Sequence, residues 1–192
     1  MKSTHLGIVV GAIVGVVALA YVYQHSGSPE KFGTPSIPFF NNESATSTPK
    51  QLQINTPKTS NAPPRYYSLD YNFFLDIPKG FRFSEIQDNG GTVILAEGGN
   101  GKSFQIFITP FDEPGPLTPD RIKKDLPQKV ILNPHAGTLD GTPALAFTSQ
   151  DPGTGDVFEI WFVHSGYLYQ ISTSASFADT MQSFLQSWKF TN

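Results

Sequence analysis

The sequence predicts an α+β fold, an antiparallel β-sheet packed with helices, preceded by one N-terminal transmembrane helix and a disordered linker. Three observations lead there. Residues 6–23 (LGIVVGAIVGVVALAYVY) run without a charge, and a stretch of about 20 mostly apolar residues crosses a bilayer. Residues 24–65 are dominated by Ser, Thr, Pro and Asn, a composition that cannot bury enough apolar area to offset its ordering entropy. Residues 66–192 alternate apolar and polar positions between Gly and Pro turns, as half-buried strands do.

Composition narrows the function classes. The formal charge of -3 gives no basic footprint, so nucleic acid is not an expected partner. Cysteine is absent, which removes disulfides, thiolate catalysis and thiolate metal sites together. Aromatic residues make up 13% of the chain, with 16 phenylalanines, and aromatics favour strands.

The apolar run follows Lys2 and the amino terminus, and no cluster of Lys or Arg comes soon after it. The positive-inside bias then places the N-terminus in the cytoplasm and the rest of the chain outside. A second reading takes Gly7 to Val17 as the core of a secretory signal, cut after Ala18-Leu19-Ala20, which gives a secreted form of the same domain. Tyr21 and Tyr23 suit the far interface of a retained helix, and retention is the reading carried forward. Gly7, Gly11 and Gly15 recur every fourth residue, so they line one helix face where a second copy could approach closely as a homodimer. In the linker, Ile37 with Phe39-Phe40 is the one apolar island, and Asn42-Glu43-Ser44 fits a glycosylation acceptor pattern.

The folded part begins at Tyr66. A first strand is expected over Ser68 to Ile77, ended by Pro78-Lys79-Gly80. Strands follow at Phe81 to Gln87, Thr92 to Glu97 and Ser103 to Thr109. Thr118-Pro119-Asp120 supplies an N-cap, a proline at the first helical position and an early acid, which predicts a helix from Pro119 to Leu126. Strands resume at Lys129 to Leu139, Thr142 to Ser149, Val157 to His164 and Tyr167 to Thr173. The two-residue connection Ser165-Gly166 fixes a hairpin in which His164 opposes Tyr167, Phe162 opposes Tyr169 and Ile160 opposes Ile171. Ser176 is the expected cap of a last helix, whose Phe177, Met181, Phe184, Leu185 and Trp188 form one apolar stripe.

Several motifs suggest chemistry. Residues 96–103 (AEGGNGKS) resemble a phosphate-binding loop, but such a loop must open a helix, and Phe104 to Pro110 alternates as a strand. The glycines therefore read as a hairpin turn, and no cofactor is expected. His135 and His164 fall on separate strands without a close ligand pair, so no metal site is expected either. Residues 151–156 (DPGTGD) lack the oxygen spacing of a calcium loop, and no Gly-x-Ser-x-Gly elbow occurs.

Three segments together resemble the PsbP-like domains, the superfamily of an extrinsic photosystem II protein that shares its fold with Mog-type Ran-binding proteins. They are residues 71–81 (YNFFLDIPKGF), 139–144 (LDGTPA) and 166–171 (GYLYQI), followed by the closing stretch Phe184 to Phe190. The resemblance implies an α/β/α sandwich over residues 66–192 and a non-catalytic binding or assembly role. Phe81 stands where a Trp is frequent in the family, and no family site residue carries over.

The functional expectation is a membrane-tethered extracytoplasmic binding or assembly module with an unknown protein partner. Trp161 and Leu168, on the mixed face of the hairpin, are the expected partner surface, since an exposed aromatic among polar residues commonly anchors an interface. The alternative is an extracytoplasmic hydrolase or metal-dependent enzyme using His135 or His164.

Overall fold

The computed structural model describes residues 63–88, 90–153 and 155–191. The apolar run, its three glycines, most of the linker and the Ile37–Phe40 island lie outside the described residues. Among the described residues, no helix is long and apolar enough to cross a membrane.

Among the described residues, the architecture is mostly antiparallel β-sheet with two short helices. Ten strands run in chain order: β1 Arg65–Ser68, β2 Phe73–Asp76, β3 Arg82–Asp88, β4 Gly91–Glu97 and β5 Ser103–Pro110, then β6 Leu132–Leu139, β7 Thr142–Asp151, β8 Gly155–His164, β9 Tyr167–Ser174 and β10 Lys189–Phe190. Helix α1 is Pro119–Asp125, between β5 and β6, and α2 is Ala178–Leu185, between β9 and β10. Seven strands form one sheet in the order β3-β4-β5-β9-β8-β7-β6, and β1-β2-β10 form a small second sheet.

Two hairpins set the register of the large sheet. Asp140-Gly141 and Ser165-Gly166 both have positive φ at each central residue (46° and 80°, 49° and 81°), the backbone of the tight turn that matches strand twist. The second hairpin pairs His164 with Tyr167, Phe162 with Tyr169 and Ile160 with Ile171, as the sequence predicts.

The two faces of the sheet bury different chemistry. One carries Ile94, Ile106, Phe162, Tyr169 and Ile171, covered by the small sheet and by Met181 and Leu185 of α2. There Phe73 of β2 stacks on Trp188, with centroids 3.9 Å apart. The opposite face carries Leu145, Phe147 and Trp161, covered by Ile122 of α1. Thr118 caps α1 as expected, its Oγ1 accepting from the Arg121 amide at 3.2 Å.

Three expectations change, and one strand is added. The strand expected over Ser68 to Ile77 is a hairpin, because residues 69–72 (LDYN) form a turn in which Asn72 adopts φ 52°, a left-handed conformation that Asn tolerates. The strand expected from Lys129 begins at Leu132, since Lys129 is held in a turn by its amide's bond to Leu126 O. The last helix begins at Ala178 after a 3-10 turn, Ala175–Phe177, and Ser176 is an exposed residue of that turn rather than its cap. Finally, Lys189–Phe190 adds a third strand to the small sheet by pairing with Phe74 and Phe73.

Candidate functional site

The expected partner surface is not exposed. Trp161 and Leu168 are each 3% exposed, because α1 and the segment before it cover that face. Both side chains line a cavity of about 20 Å3 with Phe111, Leu117, Ile122 and Leu126, enough for about one water. Arg121 and Asp125 also border it. The Arg121 guanidinium is fixed by the Glu113 carboxylate and the Pro114 carbonyl, and it lies 5.3 Å above the Phe111 ring. Trp161 and Leu168 are therefore not accessible to a partner as an interface anchor. Among the described residues, the large apolar side chains with most exposure are Tyr67 and Leu69, at 50% and 84%.

What Trp161 does instead is hold a buried carboxylate. Glu159 and Trp161 are two apart on β8 and so share a face, while Phe147 of β7 stands directly across from Glu159. The Trp161 indole Nε1 donates to Glu159 Oε2 at 2.7 Å. Ser149 Oγ donates to Glu159 Oε1. Lys129, from the connection between α1 and β6, donates from Nζ to the same Oε1 at 2.5 Å. The Lys129 ammonium also sits 5.3 Å from the Trp161 ring and 5.9 Å from the Phe147 ring, within cation–π range. Glu159 is 4% exposed. A charge that deep is tolerated only when paired and hydrogen-bonded, and three donors meet that requirement.

A second polar group lies where the C-terminal strand closes the sheet. Asp140, in the β6–β7 turn, accepts from Lys189 Nζ at 2.6 Å and from the Phe190 amide at 2.9 Å. Its carboxyl is held below the usual range, first by the bond from Lys189 and then by the Phe190 amide. His164 stacks on the Phe190 ring with centroids 3.6 Å apart, and its Nδ1 lies 3.1 Å from Thr142 Oγ1. Burial lowers the His164 pKa, an effect only partly countered by Asp140. The other histidine among the described residues, His135, is exposed on edge strand β6. Its register places it opposite Ala146 and thus Ile160, four residues along and two strands across from His164, roughly 16 Å away by strand spacing. The two histidines do not share a site.

A third network ties the small sheet to the edge of the large one. Tyr66 Oη donates to Glu85 Oε2 at 3.0 Å, and Gln87 Nε2 donates to Glu85 Oε1 at 2.9 Å. Gln87 Oε1 accepts from Thr92 Oγ1 at 2.9 Å, and Thr92 in turn lies 2.5 Å from Tyr71 Oη. Burial, aided by the Glu85 charge, pushes the Tyr66 hydroxyl pKa up.

The remaining motifs are turns. Residues 98–102 join β4 to β5, with the Gly98 amide donating to Lys102 O, and a strand follows where a phosphate-binding loop needs a helix. At the β7–β8 turn the Gly153 amide donates to Asp151 Oδ1. Among the described residues, no three acidic or histidine side chains gather closely enough to hold a metal ion.

No family model matches this chain, and no curated protein matches it. Thirteen solved chains match. One is the solution structure of cyanobacterial PsbP (CyanoP) from Synechocystis sp. PCC 6803, at 15% identity and TM-score 0.48, covering 70% of this chain and 96% of that one.

Proposed function

We propose that this chain is a membrane-tethered extracytoplasmic binding or assembly module. The observation that carries the reading is the order of its parts: an uncharged apolar run over residues 6–23, a Ser/Thr/Pro-rich spacer to residue 65, then a folded domain. A spacer rich in proline is biased toward extended conformations and holds a domain away from its anchor. Glu159, buried in the domain, is bound by three donors, and Asp140, in the exposed β6–β7 turn, by two. The finer fold reading, a PsbP-like sandwich, rests on residues 71–81, 139–144 and 166–171. These form the turn into β2, the β6–β7 hairpin and the start of β9.

The test is fractionation of cells producing the full chain, followed by protease added from outside and by intact mass. A full-length protein that resists carbonate extraction and loses its domain to the external protease supports the reading. A soluble protein lacking residues 1–20 overturns the tether and assigns the run to a cleaved signal.

A further inference from the structure

The large sheet has two edges, and they are guarded differently. An edge strand offers unpaired N–H and C=O groups to any second strand, and charged side chains, proline and bulges are the usual defence. At one edge β3 carries Arg82 and Glu85. At the other, β6 (LNPHAGTL) carries no Asp, Glu, Lys or Arg. Its defences, Pro134 and the bulge between Leu132 and His135, protect only its first half. Residues 135–139 keep a regular ladder with β7, and residues 132–138 are all exposed. Val130 and Leu132, 37% and 41% exposed, add apolar surface where this edge begins.

The tight turn decides which backbone groups face outward. In a two-residue hairpin the residues flanking the turn exchange both hydrogen bonds, and bonded and non-bonded pairs then alternate along the ladder. Leu139 pairs with Thr142 around Asp140-Gly141, so Leu139, Gly137 and His135 bond inward to β7. Ala136 and Thr138 therefore direct their N–H and C=O groups outward. A second β6 running antiparallel about a two-fold axis at Gly137 sets Ala136 of one copy opposite Thr138 of the other, and all of those groups are paired. Moving the axis to Ala136 sets Thr138 opposite Pro134, which has no N–H to give. Gly137 on the axis has no side chain to hold the strands apart.

We propose that β6 is a self-association edge, at which two copies of this chain join their seven-stranded sheets into one through residues 135–139. A closed two-fold contact uses the same surface on both sides. This edge is its own complement in backbone groups and, being uncharged, brings no like charges face to face. The inference deepens the assembly reading by naming the partner as a second copy, and it rests on strand geometry rather than on the membrane tether.

The experiment is crosslinking of the full-length Gly137→Cys protein with copper phenanthroline as oxidant. The chain has no cysteine of its own, and a Cβ at Gly137 meets nothing within 4 Å, so the fold accepts the thiol. Gly137 facing its copy is a non-hydrogen-bonded pair with Cα atoms about 4.5 Å apart, inside the roughly 4.4–6.8 Å that a disulfide spans. Gly99→Cys, exposed in the β4–β5 turn and equally free of neighbours, measures random collision. The expected result is a disulfide-linked dimer from Gly137→Cys about 10-fold above that from Gly99→Cys, because paired copies hold the two thiols at high effective concentration. Adding Ala136→Lys and Thr138→Lys, at exposed positions, sets like charges directly opposite each other and should bring the yield down to the Gly99→Cys level. Equal yields from Gly137→Cys and Gly99→Cys overturn the proposal, as does a Gly137→Cys dimer that the two lysines leave unchanged. The crosslink reads the edge whether residues 1–20 are retained or cleaved, so it and the tether fail separately.

Discussion

Replacing Trp161 with Phe isolates what the indole does on the α1 face. The ring stays apolar but loses the N–H that meets Glu159 Oε2 at 2.7 Å. A hydrogen bond to a charged group contributes about 1.5–3 kcal/mol, and here the acceptor is a carboxylate on a residue 4% exposed. The smaller ring also leaves a void of roughly 40 Å3, which at about 24 cal/mol per Å3 adds about 1 kcal/mol. The expected loss is about 2.5–4 kcal/mol, with Trp161→Ala costing more. The assay is urea denaturation, in which the midpoint should fall while the slope stays constant. Native tryptophan emission supplies a second check, since Trp161 and Trp188 are 3% and 1% exposed and both should resist quenching by iodide. A Trp161→Phe protein within 0.5 kcal/mol of wild type, the usual range of surface substitutions (about ±0.5 kcal/mol), together with quenchable emission, would refute the burial of this face.

Gly91→Ala should destabilise the β4–β5 pairing by about 1–3 kcal/mol, because an added Cβ falls 2.1 Å from the Ile108 carbonyl oxygen at a φ of +156°. Gly99→Ala, which meets nothing within 4 Å, is the matched control, and thermal melts compare the two. His164, whose pKa burial lowers, binds its proton less readily in the folded than in the unfolded chain. Its contribution is therefore fully present above the unfolded value of about 6.5 and is lost as pH falls through it. His164→Gln should show a smaller drop in melting temperature between pH 7.5 and 5.5 than wild type, and an unchanged drop would remove His164 as the cause. Asp140→Ala removes the acceptor of the Phe190 amide, so hydrogen exchange at that amide should accelerate while Ile171, in the core of β9, stays protected. Equal protection at Phe190 in both proteins would show that β10 is held by its pairing with β2 alone.

Local signals made most strands and one helix legible in the sequence. Thr118-Pro119-Asp120 announces α1 through its cap and proline, and Ser165-Gly166 fixes the β8–β9 register through its turn. The misread segments lack such signals. Residues 69–72 turn because Asp70 and Asn72 interrupt an otherwise strand-like run, and Phe73, on the far side of that turn, is buried while Leu69 is not. Alternation alone does not show where a strand folds back. Lys189–Phe190 is too short to show a period at all. The burial of Trp161 departs furthest from what the sequence predicts, and its cause is long-range. Glu159 and Gln170 beside Trp161 mark a polar face by composition, and polar usually means exposed. Here the polar groups are covered. The buried carboxylate was recoverable only by pairing Lys129 and Ser149 with it across 30 and 10 residues of chain, a contact without local signature.

The two faces of the sheet therefore divide the physical work. The face under α2 and the small sheet is apolar and aromatic, with Phe162 stacked on Tyr169 at 4.7 Å and Trp188 on Phe73, so it supplies burial without directional constraint. On the α1 face the strand pairings align Gln105, Ser172 and Glu159 in one row and Phe107, Gln170 and Trp161 in the next, and all six are buried. Each polar group there must be paired or carry a desolvation cost, and Gln170 Oε1 is unpaired among the described residues. Replacing such a row with aliphatic residues is commonly neutral or stabilising, so stability alone does not account for it. Directional bonds fix where Trp161 and the Glu159 carboxylate point, so the α1 face holds these side chains in one arrangement where a purely apolar face would accept several.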